Sequence, residues 1–195
     1  MLREVVIRVL ADANVLHSRT LRDWALMLNV ETKGELFTMH YTEDILAETI
    51  ATIRRRHVNL DGTAITLLAD RIRTSMTDRI DRYPLRQDSP VKDDKDHHVH
   101  AAAVAAGMDM LVTLDNDFLR LADEATDALP YEIICPDDFF VLIDDSDPRA
   151  TRTTTLKQHG YWTGRGVTNL AVQLRRAGCP GFGERVANHL RALFC

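Results

Sequence analysis

The sequence has few cysteines, no long apolar run and no excess of basic charge. Its three cysteines, Cys135, Cys179 and Cys195, form no C-x-x-C pair, which argues against a disulfide framework or a cysteine zinc site. A reducing cytoplasm is therefore the expected compartment. No apolar stretch is long enough to predict a membrane span, and the amino-terminal segment lacks the apolar core of a signal peptide.

The remaining composition is that of an ordinary globular protein. The 195 residues are 45% hydrophobic and 27% charged, with a net charge of −5. This length predicts one domain, or one domain with a small appendage. A net acidic chain counts mildly against nucleic-acid binding. That objection weakens where clustered acids hold a cation, because the ion changes the local sign of charge.

Short apolar segments alternate with amphipathic ones along most of the chain. The pattern predicts strands at Val5–Leu10, Leu36–Tyr41, Met108–Leu114 and Tyr131–Cys135. It predicts helices that begin after Ser18, Thr42 and Asp96, a helix within Asp61–Ile80, a short helix at Phe118–Ala122, and a loop with a possible short strand at Tyr83–Asp94. Strands separated by helices predict an α/β fold with a mostly parallel central sheet and helices on both faces.

The chain changes character at the linker-like segment 144–148. We predict a domain at residues 1–145 and a helical extension at residues 146–195, with two short helices broken near Gly178. After Asp147 the extension has eight basic residues and one acid, Glu184. This charge predicts that the extension binds nucleic-acid backbone or a partner. Docking on its own domain is the alternative, since the extension also carries an apolar set.

Acidic residues stand where predicted strands end and predicted helices begin. Asp12 ends the first strand, Asp96 precedes an alanine-rich helix, and Asp115 and Asp117 follow a buried strand; Glu48 lies within a helix. Each has a purely structural alternative: helix capping for the first two, Asx-turn chemistry for the pair, and a solvated helix surface for Glu48. In parallel sheets, however, ligands gather at the carboxyl ends of the strands.

Taken together, the order of these motifs resembles the PIN-domain nuclease family, and within it the VapC-like toxins of bacterial toxin–antitoxin pairs. The resemblance covers roughly residues 5–142, and its most specific part is Asp96–Phe118, which contains a helix, a glycine, a strand and the Thr-x-Asp-x-Asp-Phe segment. It implies one acidic pocket formed by Asp12, Glu48, Asp96 and Asp115 or Asp117. Asn14 and Thr113 match polar positions that support such a pocket.

The resemblance also implies an activity and partners. It implies a metal-dependent endoribonuclease with an RNA substrate, a cognate antitoxin that inserts a residue or helix into the pocket, and a homodimer. Carboxylates are the ligands that Mg²⁺ or Mn²⁺ prefers, and such ions can activate water and stabilise a leaving oxygen. Arg19 and Arg22 are weaker candidates for substrate phosphate contact.

Three further interpretations stay open at this point. His97, His98 and His100 resemble a metal tract, although a solvated or packed helix face is the alternative. The Asp-Ala-Asn-Val motif at 12–15 also resembles haloacid-dehalogenase-like phosphatases, but Asn14 stands where those enzymes need an acid. A catalytically inactive PIN-like binding module is the non-enzymatic alternative.

Overall fold

Five parallel strands form the central sheet, in the order β3-β2-β1-β4-β5. The structure is a computed structural model that describes residues 6–85, 89–124, 129–167 and 169–194. The strands are β1 (Ile7–Ala11), β2 (Phe37–Tyr41), β3 (Asp78–Arg79), β4 (Met110–Val112) and β5 (Glu132–Ile134). Helices connect them, so the predicted α/β fold with a parallel sheet is confirmed.

Ten α-helices occur in the part of the chain that the structure describes. They are α1 (Ala13–His17), α2 (Arg19–Glu31), α3 (Glu43–Arg56), α4 (Gly62–Ser75), α5 (His97–Ala105), α6 (Asn116–Glu124), α7 (Pro136–Ser146), α8 (Pro148–Thr163), α9 (Leu170–Arg176) and α10 (Pro180–Phe194). Side chains of Ser18, Thr42 and Asp61 accept backbone N–H groups at the starts of α2, α3 and α4, as their residue types predict. Within the described residues, no helix is long and apolar enough to cross a membrane.

Several element boundaries differ from the prediction, most of them by one or two residues. The helix predicted within Asp61–Ile80 ends at Ser75, and the chain then forms the edge strand β3. The described part of Tyr83–Asp94 contains no strand. Two predicted strands, Val5–Leu10 and Met108–Leu114, are shorter than expected, and Val5 itself lies outside the described residues.

The extension has three helices rather than two, and it packs on the domain. Leu174, Phe182 and Val186 are fully buried in the same core as the sheet. The ring of Phe182 meets Trp24 of α2 edge-on at 5.0 Å and lies 5.1 Å from Phe140 of α7. The structure therefore shows that the extension docks on its own domain. The exposed arginines of the extension remain available for other contacts.

Carboxylates of α7 fix the position of α10. Asp137 accepts the backbone N–H groups of Gly181 and Phe182 at 2.9 and 2.7 Å. At the other end of α7, the buried Asp144 lies 2.7 Å from Nε2 of His189. Helices α7 and α10 therefore run alongside each other in the same direction. Asp147 alone separates α7 from α8 and caps α8, so a domain boundary near residue 145 stays a prediction.

Candidate active site

The carboxyl ends of the neighbouring strands β1 and β4 bring the segment that begins at Asp12 next to the segment that begins at Thr113. Strands β1 and β4 are neighbours with Ala11 opposite Val112, and the Asp12 N–H donates to the Val112 carbonyl at 3.1 Å. Asp12 and Thr113, the residues that follow the two strands, therefore meet at the strand ends, although 101 positions separate them in sequence.

A dense hydrogen-bond network holds Asp12 at this edge. Its Oδ1 accepts the Ala13 N–H at 2.6 Å, and its Oδ2 accepts the Asn14 amide at 2.6 Å and the Thr113 hydroxyl at 2.7 Å. Asn14 also donates to the Thr113 hydroxyl at 3.0 Å and accepts the Leu114 N–H at 3.0 Å. Because Asp12 is only 6% exposed, these donors compensate for much of its lost hydration. Asn14 and Thr113 thus hold the Asp12 carboxylate in one orientation.

Two acids of the site, Asp12 and Asp96, are affected by the charges of Glu48 and Asp115 from two other segments. Burial raises the pKa of Asp12, the charges of Glu48 and Asp115 raise it further, and the hydrogen bonds from Thr113 and Ala13 oppose the shift. Burial also raises the pKa of Asp96, to about 6, and the charges of Asp12, Asp115, Asp93 and Glu48 add to that shift. The structure therefore gathers Asp12, Glu48, Asp96 and Asp115 into one acidic cluster, which is the name used for them below.

The carboxylate of Asp96 is not used to cap its helix. Asp96 occupies the N-cap position of α5 without a side-chain capping hydrogen bond. A 3₁₀ turn, Asp94–Asp96, precedes the helix, and Asp93 accepts the Lys95 N–H there at 3.0 Å. The capping alternative is therefore wrong for the Asp96 side chain, which faces the charges of the acidic cluster instead.

The structure separates Asp115 from Asp117. Asp115 shapes the start of α6, because its Oδ1 accepts the Asp117 N–H at 2.7 Å, while its charge acts on Asp12 and Asp96. The side chain of Asp117 is 53% exposed and lies 3.6 Å from a guanidinium nitrogen of Arg120. The charge of Asp115 thus acts on Asp12 and Asp96, whereas the contact seen for the Asp117 side chain is an exposed one with Arg120.

The chemistry of the donor set fits a hard divalent cation held partly through water. Within residues 6–85, 89–124, 129–167 and 169–194, no three His, Cys, Asp or Glu side chains are arranged to hold a metal ion by themselves. One reason is that both oxygens of Asp12 face protein donors. Magnesium retains several waters and needs only one or two direct carboxylates. A bound divalent ion would reduce the repulsion between the carboxylates of the acidic cluster.

The histidine tract is structural. The buried His100 lies 2.7 Å from the hydroxyl of Tyr131. Tyr131 directly precedes the amino end of β5, whereas the acidic cluster lies at the carboxyl ends of the strands. Nε2 of His97 lies 2.8 Å from the Val91 carbonyl, and Nδ1 of His98 lies 2.6 Å from the Lys95 carbonyl. Packing and local hydrogen bonds account for all three contacts.

Arg19 and Arg22 are not brought to the acidic cluster. Arg22 is buried and donates to the Leu16 carbonyl at 2.7 Å. Arg19 donates to the Tyr161 hydroxyl at 2.6 Å and stacks on Trp162 at 4.6 Å. Both line a separate cavity of about 910 Å³, which also touches α3, α4 and α8 and contains none of the clustered acids. Their predicted contact with substrate at the cluster therefore finds no geometric support.

Fold and site together define a parallel α/β domain with an acidic site at its central strand ends. The family model for the PIN domain matches residues 8–117, more than half of the chain, so the chain belongs to the PIN-domain family. PIN domains are generally metal-dependent nucleases, and the chain is accordingly assigned to the nucleases. A comparison with curated proteins finds no match. The phosphatase alternative loses its basis, because Asn14 donates to Asp12 where an acid would be needed.

Proposed function

We propose that this protein is a metal-dependent endoribonuclease that uses the acidic cluster to bind Mg²⁺ or Mn²⁺. The supporting observation is that the charges of Glu48 and Asp115 raise the pKa of both Asp12 and Asp96, beside the effect of burial. Asp12, Asp96 and Asp115 are the proposed ligands, directly or through water, with Glu48 completing the set from α3. A bound divalent ion supplies positive charge that polarises a phosphodiester and makes water more acidic.

The residues of the chain have distinct roles in this proposal. Asn14 and Thr113 keep Asp12 in one orientation, so that its charge is fixed before substrate arrives. Glu48 is exposed, which places its carboxylate on the solvent side of the acidic cluster, where it can orient the attacking water or accept its proton. In the chain without metal, the pKa of Asp96 near 6 lets its carboxylate hold or release a proton close to neutrality.

The biological role is proposed from the resemblance to VapC-like toxins. We propose that the chain is a cytoplasmic toxin that acts on RNA, dimerises with a second copy, and is inhibited by a cognate antitoxin. Arginine is the side chain expected to enter the acidic cluster from the antitoxin, because its fork of donors pairs with carboxylates. Purification of the native complex tests this role. A lone monomer that is fully active would contradict both the antitoxin and the dimer.

The activity is tested with Asp12→Asn and a matched Asp117→Asn. We expect Asp12→Asn to lose Mg²⁺-dependent cleavage of single-stranded RNA and to weaken Mn²⁺ binding in a calorimetric titration, with its thermal transition retained. Asp117→Asn removes one negative charge nearby and should keep both functions. Full metal-dependent cleavage by Asp12→Asn would refute the site. Metal binding without cleavage of RNA or DNA by the unaltered protein would favour the inactive binding module.

A further inference from the structure

The turn between α9 and α10 reaches the edge of the acidic cluster. A Cβ placed on Gly178 would lie 3.7 Å from Cδ2 of Leu114, so the turn packs against that side chain. Leu114 connects Thr113 to Asp115, and its N–H donates to Asn14. The extension therefore borders the residues that position the proposed metal ligands, although it lies outside the matched segment 8–117.

This turn is held rigidly. Gly178 adopts a φ of +88°, its N–H donates to the Arg175 carbonyl at 3.2 Å, and the Cys179 N–H donates to the Leu174 carbonyl at 2.9 Å. Leu174 and Cys179 are fully buried on either side of it. A left-handed glycine closed by such bonds is a common helix terminus, and here it keeps the last residues of α9 in a fixed place.

Two arginines lie at the end of α9, directly before this turn. Arg175 and Arg176 are exposed, and neither has an ion-pair partner among the residues that the structure describes. Two other cations of the extension are ion-paired, Lys157 with Glu31 and Arg185 with Asp145. The carboxyl end of a helix favours cations by itself. That effect also applies to Arg191 at the end of α10, so Arg191 serves as a control for it.

We propose that Arg175 and Arg176 bind the phosphates of an RNA strand beside the scissile bond. This inference rests on the proposed ribonuclease function and names how that site holds its substrate. The acidic cluster repels a polyanion at every position that a bound ion does not neutralise. A pair of guanidinium groups at its border attracts the neighbouring phosphates and can contact them through paired N–H donors. The net negative charge of the chain is then compatible with RNA binding, because the cations are placed locally.

The control arginines lie away from this edge. Helix α7 begins just after β5 and runs for 11 residues, about 16 Å, away from the strand ends. Helix α8 begins where α7 ends, and α10 runs alongside α7 with His189 next to Asp144. Arg152 of α8 and Arg191 of α10 are exposed and therefore lie towards the far end of the molecule.

The test measures RNA affinity across a salt series. The probe is a single-stranded RNA oligonucleotide of mixed sequence, and all proteins carry Asp12→Asn so that the probe stays intact. In this background Arg175→Ala/Arg176→Ala is compared with Arg152→Ala/Arg191→Ala. Loss of two phosphate contacts should lower the slope of log affinity against log salt by about 1.4, which is about seven-fold over a four-fold change of salt. Arg175→Lys/Arg176→Lys should restore the slope, since it keeps both charges.

Each outcome decides the proposal. A reduced slope in the Arg175/Arg176 variant alone, with an unchanged thermal transition and restoration by lysine, would support it. Equal slopes in the two alanine variants would overturn it while leaving the nuclease function intact, provided that the unaltered chain still cleaves RNA. An unaltered chain that neither binds nor cleaves RNA would overturn this inference together with the proposed function.

Discussion

Thr113→Val probes how the protein holds Asp12 in place. The substitution keeps the shape of a side chain that is fully buried and removes only its hydroxyl. That hydroxyl donates to Oδ2 of Asp12 at 2.7 Å, and it accepts from the Asn14 amide at 3.0 Å and from the Asp115 N–H at 2.9 Å. Valine would therefore withdraw a donor from a buried carboxylate and an acceptor from a backbone N–H in the same step.

The expected loss follows from these three contacts. A hydrogen bond to a charged group contributes about 1.5–3 kcal/mol, and a buried donor left unpaired costs about 1–3 kcal/mol. Asn14 still donates to Asp12, so we expect a loss of about 2.5–3 kcal/mol in the free energy of unfolding, at the lower end of the combined range. For a chain of this size this corresponds to a decrease of roughly 5–10 °C in the thermal midpoint.

The penalty should depend on pH in a defined direction. The folded-state pKa of Asp12 is raised by burial, and the Thr113 hydrogen bond opposes that rise by favouring the ionised form. Removing the hydroxyl raises the folded-state pKa further, so the lost stabilisation exists only while Asp12 is ionised. The difference between Thr113→Val and the unaltered protein should therefore be full at pH 8. It should shrink as the pH falls through the folded-state pKa of Asp12.

Equilibrium denaturation at pH 8 and at pH 4.5 measures this difference, and Thr113→Ser is the control because serine retains the hydroxyl. We expect Thr113→Ser to lose less stability than Thr113→Val at pH 8. A serine variant as unstable as the valine variant, with the same penalty at both pH values, would refute the reasoning, because the methyl group rather than the hydroxyl would then carry the effect.

Three other predictions concern the acidic cluster and the extension. Asp115→Ala should abolish RNA cleavage, whereas Asp117→Ala should leave it within a few-fold, since Asp117 has only an exposed contact with a neighbouring arginine; comparable losses in initial-rate assays would contradict this ranking. The folded-state pKa of Asp96 is about 6, so its carboxylate gains a proton as the pH falls from 8 to 5, and calorimetric Mn²⁺ affinity should weaken over that range; an affinity that stays constant would contradict the assignment. In Gly183→Ala the new Cβ would lie 3.0 Å from a backbone oxygen of α9, so this substitution should cost about 1–3 kcal/mol of stability in denaturant titrations. In the control Gly62→Ala the new Cβ meets no atom within 4 Å, so that variant should be neutral or slightly stabilising. Equal effects of the two substitutions would count against close packing of α9 on α10.

Local chemistry made most of the first half of the fold predictable. Ser18 and Thr42 are predictable helix starts, because a short polar side chain before an amphipathic segment favours the N-cap position. Strand β3 was missed because its two residues, Asp78 and Arg79, are exposed at the sheet edge and carry no apolar pattern. The apolar spacing of the preceding helix continues to Met76, but the backbone becomes extended there.

The extension was predicted to be helical, but the segment before Gly178 forms two helices rather than one, α9 and the longer α8. The buried side of α8 includes Thr151, Thr154 and Thr155, each fully buried. Threonine has modest helix propensity and is commonly exposed, so the segment gives no amphipathic signal. Asp147 caps the start of α8, whereas the packing of α8 against α2 and α7 is not visible in a single sequence.

The candidate site was predictable in its residue types but not in its finer geometry. Strand ends and helix starts indicated Asp12, Asp96 and the Asp115/Asp117 pair. Sequence could not rank that pair, because the choice depends on a turn in which the Asp115 side chain accepts the Asp117 N–H. Arg22 was a poor candidate because the rotation of α2 buries it, as 7% exposure shows. Asp93, whose charge acts on Asp96, was not singled out, since nothing local distinguishes it from its acidic neighbours.

The burial of Phe182 and Val186 has a consequence for synthesis of the protein. All proposed ligands lie in the first 115 residues, so they leave the ribosome well before these two core side chains are made. Until then Trp24 and Phe140 lack the ring that packs against them, and the nascent domain has an incomplete core. The core is therefore completed only once residues 182–186 have been made, and a chain that ends before Phe182 is expected to expose the aromatic surface of Trp24 and Phe140 that this ring covers.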